Sequence, residues 1–298
     1  MASVQSYFMD LFLRFFVNKN KLATAPIRVT RKSLEKLTSM AVKPKGIATE
    51  AVICNGVSAE WSTPKNLNND AVMLYLHGGG YVSGSVKTHR ALVANIALAA
   101  NCKCLSVEYS LAPEKPFPAG LDDAVNVYKW LLEQGINNKN IVIAGDSAGG
   151  GLAAATLLKL RDDKLPLPAG GVLMSPWLDL ECTGESAERL AKKDAMVPKK
   201  ALQRFGIMYA KDNLQNPYAS PLNADLKGLP PVLIQVSNTE ILLDDTLRFE
   251  QLAKPARAEI KVQIVSKMPH VWQAYSPMLP EATKSINQIG HFVKQITP

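Results

Sequence analysis

The sequence predicts a single α/β domain, a mostly parallel sheet with helices on both faces. Three observations carry that expectation. Uninterrupted apolar runs recur at Val72 to Leu76, Ile141 to Ala144, Gly171 to Met174 and Val232 to Val236, as strands buried on both faces require. Stretches of helical periodicity, such as Leu92, Ile96 and Ala99, separate these runs. Finally, the 298 residues contain no internal repeat, no low-complexity linker and no second complete core, so one large domain, 1–298, is expected.

Taken in order, residues 1–45 read as helical and then irregular, with a second helical patch at Ser33 to Leu37. Residues 49–53 and 58–62 read as two strands joined at Asn55-Gly56, a strong hairpin signal. The strand Val72 to Leu76 ends in His77-Gly78-Gly79-Gly80-Tyr81. Further strands are expected at Cys104 to Val107, at Ile141 to Ala144 and at Gly171 to Met174, the last running into Ser175-Pro176-Trp177. A loop with Pro113, Pro116 and Pro118 leads to a helix starting near Leu121. From 181 to 221 the pattern turns helical and charged, with no strand run. That insertion follows a strand end, and with residues 1–40 it is expected to form a helical cap. Strand 232–236, helix 242–253, strand 259–265 and helix 281–296 complete an eight-stranded sheet.

Composition excludes several function classes. The apolar fraction, 47 %, is that of a packed globule, and the net charge of +8 is scattered. The densest basic group, Lys192-Lys193 with Lys199-Lys200, has no interleaved aromatics, so no nucleic-acid partner is expected. A basic surface of this kind would still attract anionic substrates or anionic lipid. Cys54, Cys102, Cys104 and Cys182 form no CxxC pair and have no histidine cluster beside them. Buried free thiols in a reducing compartment, no metal and no cofactor are therefore expected. The apolar run Phe8 to Val17 has no preceding Lys or Arg and is interrupted by Asp10 and Arg14. It reads as an amphipathic helix rather than a signal peptide or a membrane span, and a cytoplasmic location is expected.

The chemistry centres on Gly145-Asp146-Ser147-Ala148-Gly149. An apolar strand stops, turns sharply and continues as a helix with one serine at the apex, the pattern of a nucleophile elbow. The glycines let strand and helix pass closely, and the helix start aims backbone N–H groups at the reaction site. A serine nucleophile needs a base. His291 falls on the polar face of a helix, His89 near a helix start, and His77 in the glycine loop. His270 follows the strand 259–265, at an edge where α/β sites gather, and is the expected base. Glu240 is the first carboxylate after strand 232–236 and is the expected acid; Asp244 is the alternative, one turn later with Asp245. Backbone donors for an oxyanion would come from Gly78, Gly79 and Gly80 and from Ala148, directly after the serine.

These motifs together resemble the hormone-sensitive lipase family of α/β-hydrolases, the bacterial family IV carboxylesterases. His77-Gly78-Gly79-Gly80 is similar to that family's HGGG motif, and Gly145-Asp146-Ser147-Ala148-Gly149 to its GDSAG motif. Tyr109-Ser110-Leu111-Ala112-Pro113-Glu114 resembles its YRLAPE segment, with Ser110 where arginine is usual, so a local salt bridge is expected to be missing. Glu240 stands where many members have aspartate. The resemblance spans about residues 45 to 275. It implies a serine carboxylesterase acting on short-to-medium acyl esters, with a small-molecule ester as its partner and a homodimer contact through edge strand 259–265. Lipase, amidase and non-catalytic receptor roles are the alternatives on the same fold; the receptors lack the histidine that His270 supplies. The cap is expected to line the pocket with Phe205, Met208 and Tyr209, joined by Phe8, Phe12, Tyr81 and Trp272.

Overall fold

The structure, a computed structural model, describes residues 2–39, 41 and 43–298. Met1 and Met40, at the ends of the expected cap segment 1–40, lie outside the described residues.

Eight strands form one sheet. Strands β1 (Ile47–Cys54) and β2 (Val57–Pro64) are the expected hairpin. Asn55 and Gly56 both take positive φ, 47° and 86°, which a two-residue turn between twisted strands requires. The remaining strands are β3 (Val72–Leu76), β4 (Lys103–Val107), β5 (Ile141–Asp146), β6 (Gly170–Met174), β7 (Val232–Ser237) and β8 (Ile260–Val265). Their order is β1-β2-β4-β3-β5-β6-β7-β8. Pairing is parallel from β4 through β8 and antiparallel at β1–β2 and β2–β4. From β3 the chain builds outward to β4, then returns and builds the other way from β5. The switch point lies between β3 and β5, so the glycine loop after β3 and the elbow after β5 are neighbours.

Alternate side chains of the buried strands feed two cores. Val72, Leu74 and Leu76 face α5 (Ala119–Glu133), α6 (Ala148–Asp162) and α9 (Leu243–Ala256). Met73 and Tyr75 face α4 (Val86–Ala100) and α10 (Pro280–Ile296). All four cysteines are buried and unpaired, and Cys102 and Cys104 lie on the α4/α10 side with sulfurs 3.9 Å apart.

The N-terminal region forms three helices rather than the two expected patches: α1 (Val4–Phe16), α2 (Lys19–Thr24) and α3 (Ile27–Thr38). Ser3 and Asn18 cap the first two with side-chain oxygens, and Pro26 precedes the third. Region 181–221 is less helical than its pattern predicts. It holds a four-residue turn, α7 (Ser186–Arg189), and one full helix, α8 (Lys199–Ala210), on which α2 packs. Carboxylates take the place of helical acceptors there: Asp194 accepts from Met196 and Val197 N–H, and Asp244 from Ser186 N–H. Among the described residues no helix is long and apolar enough to cross a membrane.

Candidate active site

Ser147 sits between β5 and α6 at φ 53°, ψ −122°. Such a backbone costs about 1–3 kcal/mol and must be held by its surroundings. Three bonds hold it: Ser147 N–H donates to Met174 C=O at 2.8 Å, while Trp177 and Gly151 N–H donate to Ser147 C=O at 3.0 and 3.1 Å. The turn also needs Gly149, since a Cβ there would stand 2.0 Å from the Leu76 carbonyl oxygen.

His270 follows β8, and its Nε2 lies 2.9 Å from Ser147 Oγ. Its Nδ1 lies 2.5 Å from Glu240 Oε2, just after β7. The other Glu240 oxygen accepts from Ser237 N–H and Ser175 O–H, both at 2.8 Å. Ser175 Oγ in turn accepts from Val271 N–H at 3.2 Å, so one hydroxyl ties the acid to the histidine loop. Asp244 is elsewhere, 3.5 Å from Arg189 and bonded to Ser186 N–H. All three members of the Ser147–His270–Glu240 chain are buried. Burial pulls the His270 pKa down, but the hydrogen bond and charge of Glu240 outweigh it and leave it above the ordinary histidine value. Burial raises the Glu240 pKa against the opposing pull of His270.

Beneath the elbow lies a second polar cluster. Asp146 Oδ1 accepts from Tyr75 O–H at 2.7 Å and from Gly78 N–H at 3.0 Å, and Oδ2 lies 3.3 Å from His89 Nε2. Burial would raise the Asp146 pKa, but the His89 charge and these donors hold it below the usual carboxylate range. His77 stacks on Tyr109 with ring centroids 4.3 Å apart, and burial depresses its pKa to about 3, so it is neutral. His291 is exposed on α10.

The predicted pocket residues divide. Phe205 of α8 lies over the glycine loop, where a Cβ on Gly80 would meet its ring at 2.6 Å. Met208, on the same helix, is half-buried against the main core. Tyr81 and Tyr209 stack at 3.8 Å deep in that core and pin α8 to the loop. Trp272 is not brought to the site. Val271 adopts left-handed backbone, φ 52°, which turns the indole toward α10, where Nε1 donates to Ser285 Oγ at 3.0 Å. Phe8 points to solvent, and Phe12 stacks on Phe16. Ser110 makes no salt bridge; its N–H donates to Asp123 at 2.7 Å. Glu114, in the same segment, is instead gripped by Arg31 of α3 through two bonds of 2.9 and 2.7 Å.

Ser175, Asp146, His89 and Asp194 support this arrangement through contacts that their places in the sequence do not reveal. Asp194, buried, accepts from Ile241 N–H at 3.0 Å and steadies the loop carrying Glu240. Asp146 stood inside the motif, but only its partners reveal its function. Among the described residues no group of three or more His, Cys, Asp or Glu side chains is placed to hold a metal ion. A groove of about 640 Å³ lined by Gln263, Lys284 and His291 contains none of the Ser147–His270–Glu240 residues.

Comparison with known proteins agrees with this architecture. The family described as alpha/beta hydrolase fold matches residues 73–274. An acetyl-hydrolase from Streptomyces hygroscopicus is 40 % identical over 264 residues, 88 % of this chain and 87 % of its own. An esterase from Acinetobacter venetianus is 35 % identical over 293 residues, 97 % of this chain and 96 % of its own. A crystal structure of an esterase from the bacterial hormone-sensitive lipase family has a TM-score of 0.94 and 41 % identity, covering all of both chains. With an elbow and glycine loop meeting at the switch point of an eight-stranded sheet, the chain belongs to the hormone-sensitive lipase family of α/β-hydrolases and is a carboxylic ester hydrolase.

Proposed function

We propose that this enzyme cleaves short-to-medium acyl esters through an acyl-enzyme on Ser147, with His270 as base and Glu240 as acid. The observation that carries the reading is the hydrogen-bonded chain Glu240–His270–Ser147. Ser147 Oγ attacks the ester carbonyl while His270 Nε2 takes its proton, and Glu240 orients the ring and stabilises the imidazolium. The imidazolium then protonates the departing alcohol. Water, deprotonated by the same nitrogen, attacks the acyl-enzyme; the Ser147 Oγ–acyl bond breaks, the imidazolium returns the proton to Oγ, and the carboxylic acid product leaves. Of the backbone donors, Gly78 N–H is already committed to Asp146, so the oxyanion falls to Gly79, Gly80 and Ala148. Ala148 is the first residue of α6, where an N–H has no acceptor within its helix.

In this reading α1–α3 and residues 181–221 form the cap, and Phe205, set above Gly80, limits the acyl chain. The names of relatives favour small acyl groups: an acetyl-hydrolase, and an ethyl acetate hydrolase from Pseudomonas putida at 28 % identity. An esterase 39 % identical to this chain was crystallised and soaked in p-nitrophenyl butyrate. Ser147→Ala is expected to cut turnover of p-nitrophenyl butyrate by roughly 10⁴–10⁶-fold. Turnover within tenfold of the parent would remove Ser147 from the chemistry, and a series from acetate to palmitate that peaks at palmitate would remove the acyl-length assignment.

A further inference from the structure

Helix α1 is amphipathic in the inverted sense. Its buried side carries Ser6 and Leu13, with Met9 packed on the Met268–Trp272 cluster. Its outward side carries Val4, Tyr7, Phe8, Leu11 and Phe15, each between 53 % and 80 % exposed. These positions follow i, i+3, i+4, i+7 and i+11, which places them within about a 100° arc, directly opposite the buried side. The helix is firmly seated. Ser3 donates to Glu281 through N–H at 2.6 Å and O–H at 2.8 Å, and Arg14 donates to the Lys192 and Lys193 carbonyls at 3.0 and 2.7 Å. The apolar stripe is therefore built to face outward, as a protein that meets only water would not need.

The surroundings identify what covers the stripe. The Arg14 bonds set exposed Lys192 and Lys193 beside one end of α1, and Lys267 stands 5.0 Å over the Tyr7 ring near the other. The one acid on the helix, Asp10, is paired with Arg14 at 2.7 Å. An apolar, aromatic-rich stripe flanked by lysines matches the headgroup and acyl boundary of an anionic bilayer. A second copy of the chain fits poorly, because stripe-to-stripe pairing would bring lysines of both copies together. A 13-residue helix, about 20 Å long, also offers less area than stable dimers bury.

The geometry points to α1 as an interfacial anchor that docks this enzyme on anionic lipid. Met9 touches the cluster of Met268, two residues from His270, so docking would hold the catalytic edge about 10 Å, one helix diameter, from the bilayer. This goes beyond the ester chemistry and stands whatever the acyl preference.

Cosedimentation of the full chain with phosphatidylcholine vesicles, with and without phosphatidylglycerol, tests it. Binding is expected only with phosphatidylglycerol and should weaken as salt rises. Val4→Ser, Leu11→Ser and Phe15→Ser combined should abolish it while p-nitrophenyl butyrate turnover is kept. Lys192→Gln, Lys193→Gln and Lys267→Gln combined touch only exposed side chains and should weaken binding by about 10–100-fold. Absence of binding to the anionic vesicles, equal binding to both vesicle types, or unchanged binding by the lysine variant would overturn the anchor. So would a dimer, seen by sedimentation velocity without lipid, that the serine variant dissociates.

Discussion

Helices α6 and α1 both stand at the edge of the candidate site, and they are fastened by opposite means. From Ala148 to Leu158 every residue of α6 is buried, and its entry turn is so close to β3 that Gly149 has no room for a Cβ. In α1, α2 and α3 the buried residues are Ser6, Leu13 and Thr30. Cations reaching carbonyls and carboxylates hold these helices instead. Arg14 bonds Lys192 and Lys193, Lys19 bonds the Ala191 and Asp194 carbonyls, and Arg31 bonds the Val82 and Ala112 carbonyls besides Glu114. The lesson is a division of labour. Ser147 stands on close packing, which has one solution, whereas the N-terminal helices hang from charge-assisted bonds that can be remade individually.

The largest effect should come from breaking the packed side. Gly149→Ala drives a methyl group into the Leu76 carbonyl, a backbone atom that cannot rotate away. Its cost should exceed about 3 kcal/mol and abolish activity, read as loss of soluble protein and of the unfolding transition. A variant that melts like the parent would mean the elbow is looser than its contacts indicate. Next, Glu240→Gln should fold and lose about 10²–10⁴-fold in kcat/KM. His270 must be neutral to accept a proton, so activity falls as pH drops through its pKa. Glu240 holds that pKa up against burial, so removing its charge should move the acid limb to lower pH. An unmoved limb would detach Glu240 from the histidine. The smallest effect should come from the tethered side: Arg31→Ala should cost about 1–2 kcal/mol. Calorimetry should record a fall of several degrees in Tm, with the sheet's circular dichroism retained. A loss as deep as that of Gly149→Ala would erase the contrast.

Much of the candidate site's arrangement was legible because it is local. Apolar runs mark β3, β5, β6 and β7, and the serine, glycine loop and histidine each follow a strand end. Glu240 was legible only as one of two carboxylates; distance separates it from Asp244, since Oε2 reaches His270 and Asp244 turns to Arg189. Trp272 misled because adjacency to His270 says nothing about the backbone twist at Val271 that turns the indole away. Region 181–221 misled because its charged pattern does not show that Asp194, within it, and Asp244, from outside it, accept its backbone N–H groups in place of helical carbonyls.

By itself the sequence determined the layers, the elbow and the types of groups brought to one edge. Hydrophobic periodicity and strand-end placement are short-range properties, and both can be read within a dozen residues. Only the tertiary structure decided which partners those groups have. Gly78 N–H goes to Asp146, Ser175 bridges Glu240 and Val271, and Arg31 reaches Glu114 from 83 residues away. Such bonds join segments remote in the chain, and their geometry exists only once the sheet order has set the segments side by side.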